Sequence, residues 1–181
     1  MKYLLIGWLI FASMGCSVTA RQPALHDFGL AMSAAAHQGK RPISINAPTW
    51  LWDNRIRYRL LYSSPSQVRF YGLDRWIASP PEMFEQLLNF SGKDQDYALI
   101  IRLQDFEQQF DAPDRARVVL RFSADVYFAD NKQKTSTQEF YLQQPTKTPD
   151  AAGAIIGFID LAHKANERID NWVTGLSDRQ E

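Results

Sequence analysis

Asp105 and Glu107 stand two residues apart in an alternating run. On a strand they therefore share a face, and paired carboxylates on one face are what general acid and base chemistry uses. Nothing else in the sequence completes such a site: Asp111 and Asp114 fall in a turn. His26, His37 and His163 share no metal-ligand spacing, and none has a cysteine or a second histidine within a turn of it. There is no Gly-x-Ser-x-Gly, no phosphate loop and no dinucleotide-binding glycine pattern. The expectation is a chain that is not an enzyme and needs neither cofactor nor metal. A hydrolase of unfamiliar type would require a cleft of titratable groups with strongly perturbed pKa values.

The residue whose surroundings do specify chemistry is Cys16, the single cysteine of the chain. Met1-Lys2 and the apolar run 3–12 form the charged and hydrophobic regions of a signal peptide, too short to span a bilayer as a mature helix. Two exits from it compete. Ser13-Met14-Gly15-Cys16 reads as a bacterial lipobox with serine where leucine is usual, which would make a lipidated Cys16 the mature N-terminus. Val18-Thr19-Ala20 is an A-x-A-like site, after which Cys16 would be discarded. With the first exit, residues 1–15 are signal peptide and 16–24 a lipidated tether. Ser17 after the cysteine then resembles an outer-membrane sorting signal.

The elements that follow are legible from period and punctuation. In 181 residues, 45% apolar and 13% aromatic, there is material for one core and one domain, placed at 25–175 with a polar tail at 176–181. Leu25 to Leu30 alternates as a first strand, residues 31–41 read as loop, and Pro42 to Asn46 is a short strand. Arg55 to Tyr62 alternates, with Ile56, Tyr58, Leu60 and Tyr62 on one face. Arg55, Arg57 and Arg59 form a row on the other, either a solvated face or a seat for acidic groups. A turn at Ser63-Ser64-Pro65-Ser66 leads into residues 67–73, a hairpin whose register would set Tyr58 opposite Tyr71 and Arg55 near Asp74.

Ser79-Pro80-Pro81-Glu82 is a capping box with proline at the first helical position, and the helix it opens carries Met83, Phe84, Leu87 and Leu88 on one side, ending at Ser91-Gly92. Three strands, 96–110, 116–128 and 135–142, read as an antiparallel meander whose last member is polar enough for an edge. A final helix runs to about Val173, where Gly153 and Gly157 allow close approach to the sheet. The fold class is α+β: a single, mainly antiparallel mixed sheet with two amphipathic helices packed against it.

Twenty basic against twenty acidic residues leave no field for nucleic acid. A protein partner has more to hold. Trp50 and Trp52 sit in a connection between Pro48 and the turn pair Asp53-Asn54, where one indole could close over the core or both could face a partner. Tyr71, Arg75 and Trp76 mark the strand-to-helix corner and serve as contact or framework residues; Arg75 and Trp76 are expected to brace that corner.

These pieces together resemble the ABC-type transport auxiliary lipoprotein family, the group that includes PqiC-like proteins. The resemblance rests on His26-Asp27-Phe28-Gly29, Ile43-Ser44-Ile45-Asn46-Ala47-Pro48 and Trp50-Leu51 through Ile56-Arg57-Tyr58-Arg59. Above all it rests on Tyr71 followed by Arg75-Trp76-Ile77-Ala78-Ser79-Pro80-Pro81. Asp105-Phe106-Glu107 and Asn171-Trp172-Val173 agree, so it spans nearly the whole mature chain. His26 departs from the pattern, replacing a tyrosine.

The resemblance implies a non-catalytic lipoprotein, anchored by Cys16 at the periplasmic face of the outer membrane of a Gram-negative cell. There it would dock the MCE-domain protein of an ABC-type lipid transporter. A soluble periplasmic lipid carrier is the alternative and would require an apolar cavity of several hundred Å³. Edge strands and an aromatic loop leave homo-oligomerisation open.

Overall fold

A sheet of seven strands is built around its longest member. The computed structural model describes residues 21–29, 43–88, 97–128 and 134–177. The strands are β1 (Ala24–His26), β2 (Ile43–Asn46), β3 (Arg55–Leu60), β4 (Ser64–Trp76), β5 (Tyr97–Ala112), β6 (Arg115–Phe128) and β7 (Lys134–Pro145). The helices are α1 (Pro80–Leu87) and α2 (Ala151–Ser177). The strand order is β1-β4-β3-β5-β6-β7, with β2 also paired to β5. The fold is therefore α+β, an open mixed sheet that is antiparallel over most of its length.

The β5-β6-β7 meander forms in the expected order and β7 lies at an edge. One side of β5 is shared by two strands in succession: β2 runs parallel to Leu99–Arg102 and β3 runs parallel to Gln108–Phe110. The connection between β2 and β3 must therefore step along the edge of a single strand. That step carries Trp50 and Trp52.

Alternation in β6 puts Val118, Leu120, Phe122, Ala124 and Val126 beneath the helices, each with no exposed surface. Helix α2 answers with Ala154, Ile155, Phe158, Leu161, Ala162, Ala165, Ile169 and Val173 at helical spacing. It extends to Ser177, beyond the expected end near Val173, because Leu176 still packs on the core. Helix α1 adds Met83, Phe84 and Leu87, with Phe84 edge-on to Phe122 at 5.4 Å between centroids. It ends at Leu87, short of Ser91-Gly92, which lies outside the described residues along with Cys16 and the loop expected at 31–41.

The glycines of α2 set its distance from the sheet. A Cβ on Gly157 would sit 2.7 Å from Val118 Cγ2, closer than packed carbon atoms allow. Gly157→Ala must push the helix off β6 and is expected to cost about 1–3 kcal/mol. Urea denaturation of the variant checks this, and an unchanged midpoint would mean that the helix floats more freely than its packing implies.

The β3–β4 hairpin departs from the expected register. Its loop is three residues, with Leu60 opposite Ser64, and two irregularities shift the pairing so that Tyr58 faces Arg69 and Arg55 faces Arg75. Tyr58 and Tyr71 still meet as diagonal neighbours, ring centroids 4.8 Å apart. Arg55 pairs with Asp53, while Asp74 is held by His26 at 2.9 Å.

The arginine row is a solvated face only at Arg55, whose side chain is 42% exposed. Arg57 is only 8% exposed, and Arg59 is locked on Glu107 at 2.8 Å. The turn that carries Trp50 lies over Arg57, and β5, paired beside β3, brings Glu107 to Arg59.

Candidate functional site

The connection from β2 to β3 carries a three-residue 3-10 turn, Thr49–Leu51, entered through Pro48. Its last residue, Leu51, is 2% exposed and anchors the turn in the core. A short turn cannot bury three successive side chains on one side, so the flanking indoles are turned outward. Trp50 is 60% exposed and Trp52 47%. Of the two readings the sequence left open, neither indole closes over the core.

The ledge is rigid at both ends. The Arg57 Nη1 donates to the Trp50 carbonyl at 3.0 Å, and Trp52 Nε1 donates to the Ala47 carbonyl at 3.2 Å. Arg55 is tied to Asp53 by backbone and side chain and stacks over Phe70 at 3.7 Å, which fixes the start of β3. Burial lowers the pKa of the Arg57 guanidinium, opposed by the nearby charge of Glu107. Arg57 is thus the residue that holds the ledge, a role its place in an alternating arginine row did not disclose.

The other aromatic candidates are framework. Trp76 is 1% exposed at the centre of a ring cluster, with centroids 5.6 Å from Phe28, 5.9 Å from Phe106 and 5.8 Å from Phe158. Tyr71 donates its hydroxyl to Gln108 Oε1 at 2.5 Å, and desolvation raises its pKa. Arg75 is half-buried in β4, and its Nε has no partner among the described residues. The Trp76 backbone N–H donates to the Asn54 carbonyl at 2.8 Å, so the corner and the Trp ledge brace each other.

The His26-Asp27-Phe28-Gly29 stretch is likewise structural. Asp27 Oδ1 accepts from the Gly29 N–H at 2.8 Å, Gly29 takes φ +80°, and the turn this makes drives Phe28 into the Trp76 cluster.

The capping box at the corner forms as expected: Glu82 Oε2 accepts from the Ser79 N–H at 2.9 Å and from its hydroxyl at 2.5 Å. Those bonds, the side-chain one first, hold the Glu82 carboxyl below its ordinary pKa of 4.5. A carboxylate depressed in the folded state stabilises the fold above its unfolded pKa, and that contribution is lost as pH falls through the folded value. Wild type is expected to lose more stability than Glu82→Gln on acidification below about pH 4.5. Urea midpoints at pH 7 and at about pH 3.5 check this, and identical losses would show that the cap carries no charge-dependent part.

Asp105 and Glu107 do share a face, but each is neutralised by its own arginine, Arg121 at 2.6 Å and Arg59 at 2.8 Å. Asp125, with no exposed surface, holds Arg102 at 2.6 Å and Thr137 at 2.7 Å on the same side of the sheet. These are cross-strand ties. Among the described residues no group of three or more His, Cys, Asp or Glu side chains is placed to hold a metal ion. No described helix is long and apolar enough to cross a membrane.

What the geometry defines is an open α+β sheet presenting a rigid aromatic ledge. No family model matches the chain, and neither does any curated protein. Solved structures share the fold. A Xanthomonas campestris protein of family DUF330 superposes with TM-score 0.65 at 17% identity, covering 88% of this chain and 98% of that one. A second, uncharacterised protein gives TM-score 0.63 at 11% identity, covering 84% and 99%. At these identities the likeness establishes the fold alone.

Proposed function

We propose that the chain is a non-catalytic adaptor, tethered through a lipidated Cys16 to the periplasmic face of the outer membrane. There it docks the MCE-domain component of an ABC-type lipid transport system. The observation that carries the reading is the Trp50–Trp52 ledge: two exposed indoles held on a fixed turn by Leu51 and Arg57. Large aromatic side chains that are pre-ordered before contact lose little entropy on binding and are the usual anchors of protein interfaces. The leader and lipobox support the tether, and the resemblance to the auxiliary lipoprotein family supports the partner.

The carrier alternative finds less support. Between sheet and helices the space is filled by stacked rings, Phe106 on Phe158 at 4.1 Å and Phe122 on Phe140 at 4.7 Å between centroids. A groove of about 300 Å³ at the β1 edge is open to solvent and does not enclose a lipid. The tether is tested by Cys16→Ser. The variant is expected to leave the membrane fraction, and the mature wild-type N-terminus is expected to carry acyl mass. Unchanged fractionation with an unmodified N-terminus after Ala20 would overturn the anchored reading.

A further inference from the structure

The groove at the β1 edge has an apolar floor and rim, formed by Ile155 and Ile159 of α2 together with Leu25 and Ile77. Leu25 and Ile77 are each 60% exposed, a costly arrangement for two aliphatic side chains side by side at one sheet edge. Ile77 is fixed there, because its N–H donates to the His26 carbonyl at 2.8 Å. The polar groups of the wall are already bonded: His26 to Asp74 at 2.9 Å, and Asp27 to the Gly29 N–H at 2.8 Å. The groove thus offers apolar surface beside polar neighbours that already hold partners within the fold.

We propose that this edge rests on the lipid surface to which the chain is tethered, with Leu25 and Ile77 inserted among the acyl chains just beneath the headgroups. The inference rests on the lipid-anchor reading and adds an orientation to it. Eight residues lie between Cys16 and Leu25, and whatever their conformation the nine steps span at most about 32 Å. The tether arrives at β1 itself, so β1 is the strand held closest to the bilayer. The opposite edge, β7, lies five strand spacings away, roughly 24 Å across the sheet. Turning it to the membrane would need a nearly taut tether and would bring exposed Thr137, Gln138 and Glu139 to the lipid. Aliphatic side chains at the tethered edge and, Tyr141 apart, polar ones at the far edge are the distribution a surface-lying protein requires.

Acylation of Cys16 uses up the only thiol of the chain, so a single engineered cysteine can be labelled uniquely. Full-length Ile77→Cys and Tyr141→Cys proteins, the latter on β7 at 53% exposure, would carry nitroxide labels in vesicles of phosphatidylethanolamine and phosphatidylglycerol. At position 77 the label is expected to be severalfold more accessible to oxygen, relative to a water-soluble nickel chelate, than at position 141. Equal, aqueous accessibilities in protein that floats with the vesicles would overturn the proposal while leaving the anchor intact. Spin–spin broadening at position 77 would show that a second copy covers the groove, and would overturn it too. Wild type that labels at Cys16 and does not float would remove the anchor, and the proposal with it.

Discussion

Trp76→Ala is expected to lower the unfolding free energy by about 3–5 kcal/mol, the range for removing a large aromatic side chain from a filled core. Against a typical total of about 5–15 kcal/mol this leaves a domain close to unfolding. The size of the effect follows from what the indole joins. Phe28 comes from the loop after β1, Phe106 from β5 and Phe158 from α2, and all three meet Trp76 within 6 Å. Rings from three distant parts of the chain lose their common neighbour, and because the surrounding packing is braced by β4 on one side and α2 on the other, the cavity has little freedom to collapse. Chemical denaturation gives the number. A variant that is stable to within about 1 kcal/mol yet fails to bind the proposed transporter partner would make the corner an interface, against its burial.

Trp50→Ala combined with Trp52→Ala should behave in the opposite way. Both side chains are largely exposed, so stability is expected to move by no more than about 0.5 kcal/mol, as for ordinary surface changes. Affinity for the proposed MCE-domain partner is expected to fall about thirtyfold or more, which corresponds to losing roughly 2 kcal/mol at a single aromatic hot spot. The ledge gives the reason: Leu51 and Arg57 hold the turn whether or not the indoles are present, so truncation removes contact surface without disturbing what presents it. Unchanged affinity measured by titration calorimetry, with the melting temperature also unchanged, would show that the indoles face no partner.

The two substitutions separate framework from contact, a distinction only partly legible in the sequence. Where local chemistry decides structure, the residues announced it. Ser79-Pro80-Pro81-Glu82 specifies a helix start because capping and proline preferences act within four residues, and the strict alternation of 116–128 specifies a strand with one buried face. The close approach at Gly157 was likewise readable as a spacing, though its partner Val118 was not.

What the sequence hid depends on pairing between distant segments. Arg57 and Arg59 look like solvated charges until β3 is found inserted between β4 and β5, where Glu107 and the Trp50 carbonyl become their partners. The hairpin register slipped because two irregularities in β3–β4 pairing absorb residues that no period records. Tyr71, a candidate contact, is drawn inside by Gln108, itself completely buried on a strand 37 positions away. For the Trp pair the sequence offered two outcomes, and the length of the 3-10 turn decided between them: one residue turns in, and its neighbours must turn out.

The most direct test of the proposed adaptor role is contact in the intact cell. A photoreactive benzoyl-phenylalanine placed at Trp50 or Trp52 in the otherwise wild-type chain is expected to form a crosslink to the MCE-domain component on illumination, and the same residue at Tyr141 on the far edge is not. Crosslinks from the ledge only to lipid or to other copies of the chain, with none to the transporter, would contradict the docking role.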